Sequence, residues 1–193
     1  MKSICVNCGS NSGLGTIYLE AARNLGQYCA VNGIELVYGG ASVGLMGAMA
    51  DAALEKGGRV VGVITEYLNS RVGHRDLSDL IVVETMHERK KVMFTLSDAF
   101  IVLPGGFGTL EEMFEVLTWA QLGQHNKPCG LLNVNGYFDG LINFLDRAVD
   151  HQFIKSEHRN MLLVGRDISS LVGLFVKYCA PITEKWITSD PGK

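Results

Sequence analysis

The sequence predicts an α/β protein: a Rossmann-like three-layer sandwich, with a mostly parallel sheet and helices on both faces. Three observations point there. Short, β-branched apolar runs alternate with longer amphipathic runs along the whole chain, the order of right-handed βαβ units. The short runs are apolar on both faces, as strands covered on both sides are. Three of the loops that follow them are rich in glycine, and ligands bind such sheets at that edge.

The first strand is read at residues 3–6. With one lysine before a short, interrupted apolar run, it does not resemble a secretion signal. The loop CGSNSGLG (8–15) leads into a helix over 16–31. A strand at 35–38 runs into YGGASVGLMG (38–47) and a helix over 44–56, whose many Gly and Ala residues permit close packing. Strands at 59–64 and 80–84 flank the polar stretch NSRVGHRDLSD (69–79), read as a mobile loop. A helix over 86–96 follows. The strand at 99–103 enters LPGGFGTLEE (103–112) and a helix over 109–122. A strand at 129–133 and helices over 138–151 and 169–178 complete the order. No repeat, low-complexity segment or linker interrupts it. Residues 1–193 therefore read as one domain, frayed from about 183 onward.

The 193 residues are 47% hydrophobic and 19% charged, enough for a sizeable core. Net charge is −3 without a basic block, so nucleic acid is not expected as a partner. No apolar run approaches the ~20 residues of a membrane span. An odd number of cysteines, five, suits a reducing cytoplasm. Cys5 and Cys8 form a C-x-x-C, but residues three apart on a strand face opposite sides. His74, His87, His125, His151 and His158 have no metal-ligand spacing. Neither metal nor cofactor is expected.

Two motifs mislead. Gly9, Gly13 and Gly15 fit the G-x-x-x-G-x-G of short-chain dehydrogenases. Yet the second strand ends in Tyr38-Gly39-Gly40 rather than in a ribose-binding acid. No tyrosine has a lysine four residues on. Gly40-Ala-Ser42-Val-Gly44 fits the nucleophile elbow of hydrolases. It comes too early in the chain for an upstream oxyanion loop.

Two segments carry chemistry. In LPGGFGTLEE, Gly105, Gly106 and Gly108 can converge their N–H groups at a helix start, which suits a phosphate. Thr109-x-x-Glu112 is also a capping-box pattern. Capping and chemistry account for Glu112 equally well from this segment alone. Glu111 has no capping spacing and reads as solvent-facing. In TMHERKKVMF, Met86, Arg89 and Met93 fall at i, i+3 and i+7, one stripe of a helix. Arg89 thus points inward and needs an anionic partner. Lys90 lies beside the stripe and Lys91 turns away.

PGGFGTLEE matches the P-G-G-x-G-T-x-x-E motif of the Lonely Guy family, which this chain resembles. TMHERK, YGGASVGLMG and CGSNSG match further family segments in the same order, across roughly residues 3–155. Ala41 departs from the third glycine usual in plant members. The old label lysine decarboxylase finds no pyridoxal-binding lysine here.

The resemblance implies Rossmann-like homodimers that cleave the N-glycosidic bond of AMP or N6-modified AMP, the cytokinin riboside 5′-monophosphates. It sets Arg89 and Glu112 on the catalytic pair. It sets Lys90, Gly106, Gly108, Thr109 and Thr118 on nucleotide contacts, with Glu66 against a further one. Gly105, Ser10, Gly39 and Gly40 join them from the glycine loops. A carboxylate near a phosphate site suits a sugar phosphate, because glycoside cleavage builds positive charge on the sugar. Such a carboxylate stabilises that charge, holds ribose hydroxyls or activates water. Arg89 positions the phosphate or orients Glu112. A nucleotide carrier or sensor without turnover is the alternative, since fold does not fix function.

Overall fold

A computed structural model describes residues 1–182 and 184–186. The tail from 187 on, and residue 183, lie outside the described residues. Seven strands form one parallel sheet: β1 (Ser3–Asn7), β2 (Glu35–Tyr38), β3 (Val60–Thr65), β4 (Asp79–Val83), β5 (Ala99–Val102), β6 (Cys129–Leu132) and β7 (Leu162–Gly165). Their order is β4-β3-β2-β1-β5-β6-β7. The helices are α1 (Ile17–Val31), α2 (Gly44–Glu55), α3 (Glu66–Val72), α4 (Met86–Leu96), α5 (Phe107–Gln121), α6 (Asp139–Asp150), α7 (Ser156–Arg159) and α8 (Ile168–Lys177).

Alternation along each strand sends neighbouring side chains to opposite layers. Ile4, Val6, Leu36, Tyr38 and Ile101 pack under α1, α2 and α8. Cys5, Val37, Phe100 and Val102 pack under α4, α5 and α6. Cys5 and Cys8 therefore belong to different cores, and both are buried, free thiols. A glycine of α1 lets α2 lie close against it: a Cβ added at Gly26 would stand 2.1 Å from the Met49 carbonyl oxygen.

The strand order reverses at β1. Ser3 to Val6 pair with Glu35 to Tyr38 on one side, and Ile4 to Asn7 with Ala99 to Val102 on the other. At such a switch point the loops leave in opposite directions and open a crevice beyond the carboxyl ends of the strands. Gly9 N–H donates to Pro104 C=O at 3.0 Å and Leu45 N–H donates to Gly9 C=O at 3.1 Å. The loops after β1, β2 and β5 are thus sewn together at this point.

Four local expectations need correcting. β7 is a seventh strand, a four-residue apolar run too short for periodicity to separate from a buried turn. The stretch 69–79 is not all loop: α3 runs to Val72, and Ala41 and Gly73 form an isolated bridge. α3 is seven residues long and, of its apolar residues, half-buries only Leu68 and Val72, too little to show a helical period. α7, four residues long, was also unread. Finally, α5 begins at Phe107 with Gly106 as its N-cap, two residues before the expected start. No helix among the described residues is long and apolar enough to cross a membrane.

Candidate active site

A cleft of about 560 Å³ lies over the switch point, walled by the loops after β1, β2 and β5 and by the start of α4. Its floor is an ion pair. Arg89 Nη1 donates to Glu112 Oε1 at 2.6 Å, with the two side chains 7% and 15% exposed. Arg89 Nε donates to the Val63 carbonyl at 2.9 Å, which fixes the guanidinium from the β3 side. Arg89 reaches this place because it shares the inward side of α4 with Met93. Met86, the third residue of that stripe, is 45% exposed and stands at the cleft wall instead.

The true start of α5 decides what Glu112 does. With Gly106 at the N-cap, Thr109 is the third helical residue and Glu112 the sixth. The unpaired N–H groups of a helix belong to its first turn, so Glu112 is past the point where it could cap. The capping-box reading falls with it. Thr109, Glu112, Met113 and Val116 instead share the inward stripe of the helix, and only Glu112 among them is charged. Burial pushes the Glu112 carboxyl above the ordinary 4.5, with Arg89 opposing. Removing either partner would leave a buried charge uncompensated.

At the head of α5 the first helical bond is Leu110 N–H to Gly106 C=O, 3.1 Å. The donors ahead of it, from Gly106 to Thr109, have no partner among the bonds of the described residues. A Cβ added at Gly106 or Gly108 would meet nothing within 4 Å, so both positions border open cleft. Unpaired N–H groups and the positive end of a helix make an anion cradle. Gly105 serves packing: its Cβ would stand 2.1 Å from Thr109 Oγ1 and 2.9 Å from Gly9 N.

Ser10, Gly39, Gly105, Gly106, Gly108 and Thr109 line the cleft together with Arg89 and Glu112. Four other expected positions do not. Gly40 has φ +71 and faces Ile64 and Leu80. Lys90 is held by Glu111 and Glu115, with its side chain 9% exposed. Glu66 is the exposed first residue of α3. Thr118 is exposed on α5, donates to Phe114 C=O at 2.7 Å and borders a separate cavity. Tyr18, Met46 and Tyr137 line the cleft without having been read from the sequence. Tyr137 could have been found: it follows β6, and every loop after a strand lies at this edge. Among the described residues no group of three or more His, Cys, Asp or Glu could hold a metal ion.

Comparison with known proteins gives this arrangement relatives. A family described as "Possible lysine decarboxylase" matches residues 46–174. A cytokinin riboside 5′-monophosphate phosphoribohydrolase of Rhodococcoides fascians is 49% identical over 173 residues, covering 89% of this chain and 87% of that protein. An enzyme of the same description from Arabidopsis thaliana is 46% identical over 178 residues, covering 92% and 84%. Among solved structures, a molybdenum cofactor binding protein of Rippkaea orientalis superposes with a TM-score of 0.68 at 23% identity, covering 92% of this chain and 97% of that one. That likeness speaks to the fold alone.

Proposed function

The chain belongs to the family of cytokinin riboside 5′-monophosphate phosphoribohydrolases, and we propose that it hydrolyses the N-glycosidic bond of AMP and N6-modified AMP. The products are the free base and ribose 5-phosphate. The buried Arg89–Glu112 pair beside an open anion cradle carries this reading. In it, the donors of Gly106, Phe107, Gly108 and Thr109 hold the 5′-phosphate. The sugar lies deeper, over Glu112. As the bond to the base lengthens, positive charge grows on the ribose and the ionised carboxylate stabilises it. Water attacks C1′ and loses a proton to solvent or carboxylate, while the base departs with the bond's electron pair and takes up a proton from solvent. Arg89 orients Glu112 and favours its ionised form, opposing burial. A carrier would use the cradle but has no need of a buried carboxylate.

We read the chain as one Rossmann-like domain working as a cytoplasmic homodimer. Phe114 and Thr118 of α5 and Leu122 at its C-cap fall at i, i+4 and i+8, and Phe114 and Leu122 are 36% and 46% exposed. That stripe suits contact with a second copy and would bring Thr118 into it. Lys90 and Glu66 reach nucleotide only if their side chains move or a second copy supplies it.

The test is to incubate the pure protein with AMP, isopentenyl-AMP and adenosine and to measure free base. Release from the monophosphates, a far slower release from adenosine and no effect of chelator are expected. No release from any monophosphate would exclude the enzyme. Equal turnover of AMP and adenosine would exclude the phosphate cradle. Light scattering should give about twice 21.0 kDa; a monomer mass at micromolar concentration contradicts the dimer.

A further inference from the structure

Tyr137 stands at the cleft wall, 46% exposed, on the turn that follows β6. Its hydroxyl donates to the Gly105 carbonyl at 2.8 Å. Its ring meets Tyr18 edge to face at 5.7 Å between centroids, and Phe138 at 5.0 Å. An exposed tyrosine does not hold one backbone carbonyl of a neighbouring loop unless its own turn is fixed. This turn is fixed in an unusual way. Asn135 and Gly136 are both left-handed, at φ 52 and 69, and the conformation is uncommon for a residue with a side chain. Asn133 braces it twice. Its side-chain Nδ2 donates to Asp139 Oδ1 at 2.7 Å, and its side-chain Oδ1 accepts from Phe138 N–H at 2.8 Å.

The contact matters because of what else belongs to that peptide. The peptide unit is planar, and in its trans form the C=O of one residue and the N–H of the next point in opposite directions. No peptide bond among the described residues is cis. Holding the Gly105 carbonyl therefore sets the direction of the Gly106 N–H, the first unpaired donor of the cradle. Two glycines in succession have wide backbone freedom, so this plane needs an outside restraint. Pro104 C=O is tied to Gly9 N–H on one side, and Tyr137 supplies the tie on the other.

We propose that Tyr137 is a positioning residue: it sets the Gly105–Gly106 peptide so that the cradle meets a 5′-phosphate ready-made. The inference rests on the phosphoribohydrolase reading for its substrate but not for its geometry. Tyr137→Phe tests it, because the ring and its aromatic contacts stay and only the hydroxyl leaves. Three measurements are made on wild type and variant: steady-state kinetics with AMP and with adenosine, AMP binding by calorimetry, and thermal melting. In Tyr137→Phe, KM and Kd for AMP should rise about fivefold to tenfold, the scale of one hydrogen bond. The kcat for AMP should stay within about twofold, and the adenosine rate should not change, since adenosine lacks the group being held. Unchanged KM and Kd for AMP would overturn the proposal. So would a loss of kcat on both substrates with a lowered melting temperature, the mark of a tyrosine that is merely structural. If wild type releases no base from AMP, the hydrolase reading fails, while the calorimetric arm still decides the role of Tyr137.

Discussion

A Cβ added at Gly106 or Gly108, in the turn after β5, would meet no atom within 4 Å, whereas one at Gly39, in the turn after β2, would stand 2.2 Å from Arg89 Nη2 and 3.1 Å from Met46 Sδ. Gly44 and Gly47, further along the second turn, are filled as closely by Ser10 and Ser42. The two stretches look alike on paper. One keeps its glycines beside open space, the other where protein packs against them. Both converge on the same pair: the turn after β5 launches the helix that carries Glu112, and the turn after β2 leaves the space that Arg89 occupies. On the proposed function, the anion cradle and the ion-pair floor are built by separate glycine turns, and substitutions should separate them.

The largest effect is expected on the floor itself. Glu112→Gln keeps shape and loses charge, so turnover should fall by roughly 10² or more. Stability should fall too, by about 3 kcal/mol, because the amide oxygen still accepts from Arg89 but the buried guanidinium loses its counter-charge. Kinetics beside a melting curve check both halves, and a fully active variant would return Glu112 to a structural role. Gly39→Ala attacks the same floor from behind. The new methyl must displace the buried guanidinium and disturb its bond to Glu112. A misplacement of this size can cost roughly 10² in rate, with AMP binding nearly kept. Wild-type turnover in that variant would mean that the close fit behind Arg89 is idle.

Gly106→Ala should do the reverse. Its methyl points into open cleft and meets nothing within 4 Å. Stability should stay within about 0.5 kcal/mol, while KM for AMP rises about tenfold as a cradle donor is obstructed. A variant that melts early but binds AMP normally would erase the contrast between the turns. The smallest effect concerns pH. On the proposed mechanism the floor works with Glu112 ionised, and burial raises its pKa above 4.5. At a given acid pH a smaller fraction is ionised than for an exposed glutamate. The acid limb of kcat should therefore lie above 4.5, and a pH–rate profile that holds flat down to that value would contradict it.

Much of this was legible in the chain. Apolar runs with β-branched residues gave away six of the strands, because strands buried on both faces cannot avoid that composition. Arg89 was readable as inward from the stripe it forms with Met86 and Met93, although Met86 itself is 45% exposed. What stayed hidden depends on tertiary contact. Thr109 mimics an N-cap by type and spacing, and only the earlier start of α5 at Phe107 demotes it. Nothing local tells Gly39, which makes room for a side chain fifty positions later, from Gly106, which faces the cleft. Likewise Lys90 sits next to Arg89 in sequence, but a helix turns the neighbour by about 100°, toward Glu111 and Glu115 rather than the cleft. α3, seven residues long and with only Leu68 and Val72 half-buried among its apolar residues, is too short to read.

The reversal of strand order at β1 also bears on how the molecule comes into being. The strands from β1 to β4 each pair with the next in sequence, so that half of the sheet can assemble as the chain emerges. The other edge of β1 must wait for β5: Ile4 pairs with Ala99, and Gly9 is tied to Pro104. Contacts this distant close late, after local pairings have formed. The crevice is therefore among the last features to appear, and until then β1 is an unpaired edge open to other chains. Pulse-labelled hydrogen exchange during refolding should show protection at Val37 before Val102; the opposite order would refute this sequence of events.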